Sequence, residues 1–425
     1  MKISMVSEHA SPLAALGGVD AGGQNVHVAA LSAALARRGH HVTVYTRRDA
    51  DDLPARVRIF PRLEVVHVQA GPARRVPKDE LLPHMEELAS GLSHDWEARP
   101  PDLVHGHFWM SGLAALDASR MPAGRTPIPV VQTFHALGTV KRRHQGTADT
   151  SPLERQWLEP SVGHRADRII ATCSDEAFEL KTMGIPPEKI SIAPCGVDLE
   201  LFPGSGPADQ CDRTHRILSV GRLVPRKGVD VVIQALPLLR DAGFQDVELI
   251  IVGGGGDATE TEADGEARRL LAVASELDVR QQVSFRGQVP REAMPGIFRS
   301  ADAVVCTPWY EPFGIVPLEA MACGIPVVAA AVGGLRDTVV NHRTGLHVPP
   351  RDPHATAAAL AYLLADQGLR QELGRAGQQR ARARYSWDRV AAETEKAYLQ
   401  TLTGDTASLR PGTRSQLYPV EGAAL

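Results

Sequence analysis

The sequence predicts an α/β fold of two doubly wound, Rossmann-like domains that face a central cleft. With 425 residues, the chain is long enough for two or three domains of ordinary size. Short apolar segments alternate with Gly-rich turns and helical segments, which is the pattern of βαβ units. Several apolar segments are almost continuous, as in Val-Glu-Leu-Ile-Ile-Val at 247–252, and such runs are typical of parallel strands covered on both faces.

Eleven apolar segments are candidate strands, five in the first half of the chain and six in the second. They span residues 2–7, 41–46, 103–107, 129–134 and 168–173, then 216–220, 248–252, 282–286, 303–307, 326–330 and 346–348. Candidate helices span residues 24–38, 315–323, 356–364, 370–384 and 387–399. Ser386 is the expected N-cap of the last helix, because its hydroxyl can accept a backbone N–H of the first turn.

The alternation of strands and helices pauses at residues 194–213, which are rich in Pro, Gly and polar residues. This pause predicts two domains joined by a linker. We further expect a last helix that returns to the first domain and, from its Gly, Ser, Thr and Pro content, a flexible tail. The predicted ranges are 1–200 for the first domain, 201–213 for the linker, 214–385 for the second domain, 386–402 for the helix and 403–425 for the tail. Ligands of doubly wound sheets bind beyond the carboxyl ends of the strands, so the cleft is the expected site.

Composition excludes several classes of protein. Hydrophobic residues make up 43% of the chain and charged residues 23%, which excludes disorder as its main state. With 46 basic and 50 acidic residues the net charge is −4, so we expect no general nucleic-acid binding. The five cysteines form no CxxC pair and no zinc-site spacing, which favours the reducing cytoplasm as the localisation. We expect no signal peptide and no transmembrane segment, because no apolar run is long enough.

The segment Glu311-Pro-Phe-Gly-Ile-Val-Pro-Leu-Glu319 follows the candidate strand at 303–307. Pro312 and Gly314 suit a loop that enters a helix, whose first N–H groups can hold a phosphate or a sugar hydroxyl. Glu311 is expected at the loop tip and Glu319 about one turn deeper, where a carboxylate can accept two ribose hydroxyls. The alternative is a helix cap next to an ordinary surface glutamate.

Arg222 and Lys227 lie in a turn after the strand at 216–220. A guanidinium and an ammonium five residues apart can both reach one diphosphate. Such contacts strengthen as the leaving diphosphate gains charge in the transition state. The alternative is a pair of solvated surface cations. Arg226, next to Lys227, has no assigned role.

Gly22 and Gly23 precede the first predicted helix, and His135 follows the strand at 129–134. Glycine permits close backbone approach, and a helix start favours a phosphate or developing negative charge. An ordinary strand-to-helix turn and a structural histidine are the alternatives for these two features.

Four motifs, in this order along two domains, resemble those of the retaining GT-B glycosyltransferases of family 4. They are Asp20-Ala-Gly-Gly-Gln-Asn25, Thr133-Phe-His135, Gly221-Arg-Leu-Val-Pro-Arg-Lys-Gly228, and the Glu311–Glu319 segment with the following Met321-Ala-Cys-Gly-Ile-Pro-Val-Val. The resemblance extends over nearly the whole chain. It implies a GT-B fold and a metal-independent, retaining transfer from a nucleotide-diphosphate sugar, with a UDP-glucose-like donor favoured and no cofactor.

The resemblance also implies roles for individual residues. His135 would contact the donor sugar near the reacting carbon, where it need not act as a general base, and Gly23 would contact the distal phosphate. The expected catalytic residues are His135, Arg222, Lys227 and Glu311. The expected donor-binding residues are Gly23, Arg222, Lys227, Arg286, Val289, Glu311, Phe313, Gly314, Ile315 and Glu319, with the nucleobase against residues 286–289.

The acceptor is expected on the first domain and is a small molecule or sugar phosphate. Its candidate residues are Asn25, Lys78, Lys141, Arg142 and Arg143. The three cations of the last group follow His135 closely and can bind a phosphate, although such a run is more often a solvated face. Residues 133–138 with this basic run look closest to sucrose-phosphate synthases, whereas the Gly-Gly loop with Asn25 and Lys78 resembles inositol-phosphate glycosyltransferases. The identity of the acceptor stays open.

Two further motifs are weighed against this interpretation. Gly253-Gly-Gly-Gly-Asp-Ala258 fits a dinucleotide fingerprint, but the acidic residues that follow would repel a pyrophosphate. Asp49-Ala-Asp51 resembles a metal-binding DxD, but it lies in an acidic loop away from the expected nucleotide site, and no metal is expected. A sugar-nucleotide epimerase and a non-catalytic nucleotide-sugar-binding subunit stay open as alternatives. So does peripheral membrane contact through the arginines at 375–384.

Overall fold

The structure is a computed structural model that describes residues 1–13, 22–120, 126–256, 260 and 264–404. Three sequence-based expectations lie partly outside the described residues. These are residues 20–21 of the Gly-Gly loop, residues 257–258 of the glycine-rich motif and residues 405–425 of the tail.

The first sheet has eight strands in the order β3-β4-β2-β1-β5-β6-β7-β8, all parallel except the edge strand β3, which is antiparallel to β4. The strands are β1 (Lys2–Val6), β2 (His41–Arg47), β3 (Arg56–Phe60), β4 (Leu63–Val68), β5 (Leu103–His107), β6 (Val130–Thr133), β7 (Arg168–Ala171) and β8 (Ile190–Ile192). The chain order reverses direction between β1 and β5, so the loops after these two strands flank a crevice.

The second sheet has six parallel strands in the order β11-β10-β9-β12-β13-β14, which is the doubly wound order with its reversal between β9 and β12. The strands are β9 (His215–Val220), β10 (Val247–Val252), β11 (Val283–Gly287), β12 (Ala303–Cys306), β13 (Val327–Ala330) and β14 (Gly345–Val348).

Helices cover both faces of each sheet. Those of the first half are α1 (Gly23–Arg37), α2 (Met85–Ala98), α3 (Trp109–Ala118), α4 (Gly138–Gln145), α5 (Arg155–Arg165) and α6 (Ser174–Thr182). Those that follow are α7 (Val229–Asp241), α8 (Gly265–Glu276), α9 (Met294–Arg299), α10 (Ile315–Ala322), α11 (Leu335–Thr338), α12 (Pro353–Ala365), α13 (Gln367–Arg384) and α14 (Trp387–Thr403). Each sheet therefore has an apolar core on both of its faces, which explains the continuous apolar strands.

The eleven predicted strands are all present, with ends that differ by one or two residues. Three strands were missed. β3 (Arg-Val-Arg-Ile-Phe) is an edge strand that places arginines between its apolar residues, β8 has only three residues, and the polar residues of β4 weaken its apolar signal. β7 ends two residues earlier than expected because Cys173 is the N-cap of α6 and its sulfur accepts the backbone N–H of Glu176.

Helix α14 begins after Ser386, whose hydroxyl accepts the backbone N–H of Arg389, as predicted. The helix packs against α1 and the first sheet. The phenol of Tyr398 bonds the imidazole of His105 on β5 at 2.7 Å, and Thr401 accepts from Arg168 on β7 at 3.1 Å. The last helix thus joins the first sheet although it follows the second in the chain. No helix among the described residues is long and apolar enough to cross a membrane.

Candidate active site

The carboxyl ends of the two sheets enclose a cavity of about 460 Å³. Its walls come from both halves of the chain, and the two halves touch across it. Ser174, the first residue of α6, donates its backbone N–H and its hydroxyl to the carboxylate of Asp337, each at 2.6 Å. Gln145 at the end of α4 donates to the Tyr310 hydroxyl at 2.9 Å. The structure therefore shows the cleft in a closed arrangement.

Twelve of the residues expected from the sequence line this cavity. They are Gly23, Asn25, Lys78, His135, Arg222, Lys227, Val289, Glu311, Phe313, Gly314, Ile315 and Glu319. Residues as far apart in the chain as Gly23 and Glu319 thus converge on one cavity.

The loops after β9 and β10 form the floor of the cavity. Gly221 and Gly253 both have φ in the left-handed half of the map, at 151° and 136°. A Cβ on Gly253 would lie 1.8 Å from the carbonyl oxygen of Gly221, so only glycine permits this contact between the loops. The glycine-rich motif at 253–256 is thereby explained in part by packing, and Gly253 and Gly254 still line the cavity.

Lys227 and Glu311 form an ion pair on this floor, with Nζ 2.5 Å from Oε2. Both side chains are largely buried. Burial acts to raise the pKa of Glu311, but the ammonium of Lys227, the nearby Arg226 and the N–H of Phe313 outweigh it, so the pKa lies below its ordinary value. Glu311 is therefore ionised at neutral pH, and its charge keeps Lys227 in place.

Helix α10 begins at the cavity with Gly314 as N-cap in the left-handed conformation, φ 75°. A Cβ on Gly314 would lie 3.0 Å from the Thr338 hydroxyl oxygen. Any other residue would therefore combine this close contact with the strain of a left-handed backbone. The first N–H groups of this eight-residue helix are available for an anion or a hydroxyl, as the sequence suggests.

Glu319 lies on α10 and is buried, with only 8% of the residue exposed. Its carboxylate accepts a hydrogen bond of 3.2 Å from Arg291. Burial raises the pKa of Glu319 to about 7, although Arg291 acts to lower it. A carboxylate has about four lone pairs, and the hydrogen bond from Arg291 uses one of them. The others can accept hydrogen bonds from ligand hydroxyls.

On the opposite wall, Gly23 is the first residue of α1. A Cβ at this position would lie 3.1 Å from Phe313 and 3.2 Å from Ile315, so glycine permits the two halves to meet here. Asn25 supports the loop that precedes the helix: its Oδ1 accepts from the N–H of Gly22 and its Nδ2 donates to Ser11. Both ends of the Asn25 amide are thus engaged with backbone while the residue also lines the cavity.

His135 has φ of 63°, which is strained for a residue with a side chain. Its Nε2 lies 2.9 Å from Nδ1 of His107, and its ring centroid lies 5.3 Å from that of Phe313. Burial, together with neighbouring histidines, holds the pKa of His135 well below its ordinary value. Arg155 fixes the same loop by donating to the carbonyl of Ala136 at 2.5 Å. The imidazole is therefore neutral and firmly positioned.

Lys78 contributes a cation to the first-domain wall. Burial lowers its pKa, and the positive charges of Lys141, Arg222 and Arg155 lower it further, against the opposing effect of Asp79. Several cations are thus close enough to destabilise one another's charge. This corner of the cavity is suited to an anionic group.

Four expected site residues lie outside the cavity lining. Arg286 is exposed on β11, while Gln288 and Val289 face the cavity in its place. The basic run on α4 is engaged inside the first domain, because Lys141 and Arg142 lie 2.8 and 3.9 Å from Asp149 and Arg143 forms a bidentate pair with Glu179. Lys141 still affects the site electrostatically, because its positive charge lowers the pKa of Lys78.

Several lining residues were missed by the sequence reasoning. Arg226 lines the cavity with its guanidinium carbon 5.2 Å from the centre of the Tyr310 ring, and Arg291 lines it as the partner of Glu319. A site role for Arg226 could have been predicted from its position next to Lys227. The sequence gives no such indication for Arg291, because its partner Glu319 is 28 positions away and meets it only in the fold.

Asp49 and Asp51 lie in the loop after β2 and do not line the cavity. Throughout the described part of the chain, no group of three His, Cys, Asp or Glu side chains is arranged to hold a metal ion.

Two doubly wound domains that face a cleft lined by cations and a buried carboxylate have the architecture of GT-B glycosyltransferases. Family comparisons agree over both halves. The pattern "Glycosyltransferase Family 4" matches residues 21–201, and "Glycosyl transferases group 1" matches residues 211–380.

Relatives and solved structures identify the family. The chain is 36% identical over 420 residues to D-inositol 3-phosphate glycosyltransferase of Xylanimonas cellulosilytica, which covers 94% of this chain and 96% of the relative. It is 37% identical over 417 residues to the enzyme of that name from Kribbella flavida, covering 93% and 95%. The structure of sucrose-phosphate synthase from Thermosynechococcus elongatus matches with a TM-score of 0.83 and 30% identity, covering 95% of this chain and 100% of that one. The chain belongs to the family 4 glycosyltransferases of GT-B fold and is an enzyme that uses a nucleotide-sugar donor.

Proposed function

We propose that this enzyme transfers a hexose from a UDP-glucose-like donor to a hydroxyl of a small phosphorylated acceptor, with retention of anomeric configuration and without a metal ion. The observation that carries the proposal is the convergence of Lys227, Glu311 and Glu319 with His135 and Lys78 on one cavity. The first three come from the second sheet and the last two from the first, so a donor and an acceptor can meet between them.

The donor is assigned to the second-domain floor. Arg222 and Lys227 are suited to the diphosphate, whose negative charge grows as the sugar leaves. Glu319 is suited to the ribose, since a buried carboxylate can accept two hydroxyl protons. Glu311 then faces the transferred sugar, next to the start of α10. The nucleobase is assigned to the segment around Val289, which lines the same floor.

The acceptor is assigned to the first-domain wall. Lys78 lies within the field of Lys141, Arg222 and Arg155, and that excess of positive charge favours a phosphorylated ligand. The relatives are named for transfer to D-inositol 3-phosphate, which is a phosphorylated polyol. A polyol phosphate of this kind is therefore the first acceptor to test.

Retention with a single displacement requires attack from the face that the diphosphate leaves. The bond from C1 to the phosphate oxygen breaks, the acceptor oxygen bonds C1 on the same face, and the acceptor proton passes to the departing phosphate oxygen. The burial that keeps His135 neutral also makes it a poor base. Its proposed contribution is a contact to the sugar, while Arg222 and Lys227 stabilise the leaving group.

The direct test is a donor and acceptor screen with the full-length enzyme. UDP-glucose, UDP-N-acetylglucosamine, ADP-glucose and GDP-mannose are each combined with inositol 3-phosphate or with hexose phosphates. Release of nucleoside diphosphate and the proton coupling at C1 of the product report rate and configuration. Transfer with an inverted product contradicts the retaining mechanism, and no transfer with any pair contradicts the proposed function. Conversion of a donor without acceptor would favour an epimerase.

A further inference from the structure

Arg291 lies in the turn between β11 and α9, where it lines the cavity next to Glu319 of α10. Its Nη2 donates to Oε1 of Glu319 at 3.2 Å. The guanidinium carbon lies 5.6 Å from the centre of the buried Phe202 ring, which lines the same cavity. The carbonyl of Arg291 accepts the backbone N–H of Met294, the first residue of α9, at 3.3 Å. Arg291 is therefore held by a carboxylate, an aromatic ring and a turn.

The Arg291 guanidinium keeps an unused donor, Nη1. Nη2 bonds Glu319, and Nε is buried without a partner. Nη1 also lacks a hydrogen-bond partner among the described residues, but unlike Nε it is not buried. The side chain is 22% exposed, and the residue lines the cavity. A ligand in the cavity can therefore reach Nη1 and accept its N–H groups.

Glu319 keeps an unused acceptor beside this donor. Its Oε1 accepts from Arg291, whereas Oε2 has no hydrogen-bond partner within the described part of the chain. Although the residue is largely buried, 11% of its side chain stays exposed, and Oε2 is not a buried atom. Since the two side chains touch at 3.2 Å, the free N–H groups and the free oxygen lie within reach of one small ligand group.

The charges of the pair indicate the chemistry of that ligand group. The positive charge of Arg291 is balanced by the carboxylate of Glu319, so a phosphate bound here would meet a negative charge at short range. A neutral group that both donates and accepts hydrogen bonds has no such cost. A hydroxyl does both, because it has one O–H donor and two lone pairs. Two neighbouring hydroxyls therefore match the pair, one as donor to Oε2 and the other as acceptor from Nη1.

We propose that Arg291 is a specificity-determining residue that recognises the ribose of the donor together with Glu319. Arg291 Nη1 donates to the oxygen of one ribose hydroxyl, and Glu319 Oε2 accepts from the other. The assignment of this diol to the ribose rests on the proposed function, in which Glu319 accepts ribose hydroxyls; the free donor and acceptor do not. The pair selects ribonucleotides over deoxyribonucleotides, because a missing hydroxyl leaves the donor or the acceptor unpaired.

Calorimetry with the full-length enzyme, without acceptor, tests this proposal. The probes are UDP, 2′-deoxy-UDP and 3′-deoxy-UDP at pH 8.5, where Glu319 is ionised because its pKa is about 7. We expect the wild type to bind each deoxy analogue about tenfold more weakly than UDP, as one lost hydrogen bond to a charged group predicts. In Arg291→Met, UDP should bind about tenfold more weakly, and the penalty for one of the two analogues should disappear.

Arg268→Met makes the same exchange at an exposed position on α8, and this control should keep both penalties. Equal weakening of all three nucleotides in Arg291→Met overturns the proposal, as does a wild type that binds UDP and both analogues alike. If Arg291→Met does not fold, as judged by thermal unfolding, Arg291→Met/Glu319→Gln takes its place, because it leaves no unpaired charge. Retention of both penalties in that double variant also overturns the proposal.

A purely electrostatic role of Arg291 makes a different prediction. Without the guanidinium, whose charge acts to lower the pKa of Glu319, the carboxyl would ionise only at a higher pH. The lost penalty should then return as the pH is raised to 9, whereas a lost contact does not return. Recovery at pH 9 therefore overturns the proposal. An enzyme that discriminates the ribose in this way but transfers no sugar contradicts the proposed function alone.

Discussion

The Lys227 ammonium lies 2.5 Å from the Glu311 carboxylate, so the cation assigned to the donor diphosphate is already paired with the carboxylate assigned to the sugar. This pair links the turn after β9 to the loop before α10. In an empty cleft each residue is the counterion of the other. When a diphosphate binds, Lys227 can bridge both anions, which places the leaving group next to the sugar-binding carboxylate.

Replacement of Lys227 by alanine is expected to lower kcat/KM by about tenfold to a hundredfold, because one charge-assisted hydrogen bond to the diphosphate contributes about 1.5–3 kcal/mol. The variant should also unfold at a lower temperature, since Glu311 is left without its counterion. Lys181→Ala, at an exposed position on α6, is the control and should match the wild type. The double variant Lys227→Ala/Glu311→Ala should recover part of the lost stability; an additive loss would contradict the pairing.

The raised pKa of Glu319, about 7, predicts a pH-dependent donor affinity. The ribose hydroxyls need the ionised carboxylate, so below the pKa binding must first expel a proton. We expect the Kd for UDP-glucose to rise as the pH falls below about 7, with a slope that approaches tenfold per pH unit. Above that pH the Kd should be constant. Glu319→Gln should bind weakly and lose most of this dependence, as measured by calorimetry. A wild-type affinity that is flat from pH 6 to 8 would count against the ribose assignment.

The Glu319 carboxyl gives folding stability the opposite pH dependence from donor affinity. Its folded pKa lies above the value of an unfolded glutamate, so its contribution favours the fold below pH 4.5 and is lost as pH rises through about 7. Relative to Glu319→Gln, the wild type should therefore become less stable between pH 5 and 8, which denaturant unfolding can measure. If the difference in unfolding free energy between the wild type and Glu319→Gln is the same from pH 5 to 8, the Glu319 carboxyl is not desolvated.

Substitution of Gly23 by alanine tests the contact of the two halves. The added methyl group would lie 3.1 Å from Phe313 and 3.2 Å from Ile315, closer than normal packing allows. We expect a several-fold higher KM for the donor with little loss of stability, because the cleft can open to relieve the contact. Gly265→Ala is the matched control: it is also the first residue of a helix, and its methyl group meets nothing within 4 Å. If both variants behave alike, the steric argument fails.

Asp337 is expected to stabilise the closed cleft through its two hydrogen bonds to Ser174. Asp337→Ala should shift the enzyme towards open forms, which small-angle X-ray scattering would register as a larger radius of gyration. Donor KM should rise by a few-fold, while the melting temperature changes little. Asp212→Ala, at an exposed position between the sheets, is the control. A radius identical to that of the wild type would show that this contact does not hold the domains together.

Because the proposed mechanism uses Arg222 and Lys227 to balance the charge of the leaving diphosphate, turnover should persist in excess chelator. Initial rates of diphosphate release with and without the chelator make the comparison. Complete loss that manganese restores would reject the metal-independent mechanism.

The motifs were informative because each combines a strand end, a glycine and a charged residue within a few positions. Arg222, Lys227, Glu311 and Glu319 were all found in this way, and all line the cavity. The basic run at Lys141 was harder to interpret, because Asp149 and Glu179, which pair with it, are distant enough in sequence that no spacing rule connects them. The return of α14 to the first sheet was expected, but its buried contact with His105 joins residues that are 293 positions apart in the chain.

The sequence alone determined the two doubly wound domains, nearly all their strands and the short segments that line the cleft of the second domain, since these depend on local periodicity and on residues within one turn. Only the tertiary structure decided which basic residues pair with carboxylates and which carboxylate has a pKa near 7. The reason is physical: pairing and desolvation depend on contacts between residues far apart in the chain, and those contacts exist only once the two sheets meet around the cleft.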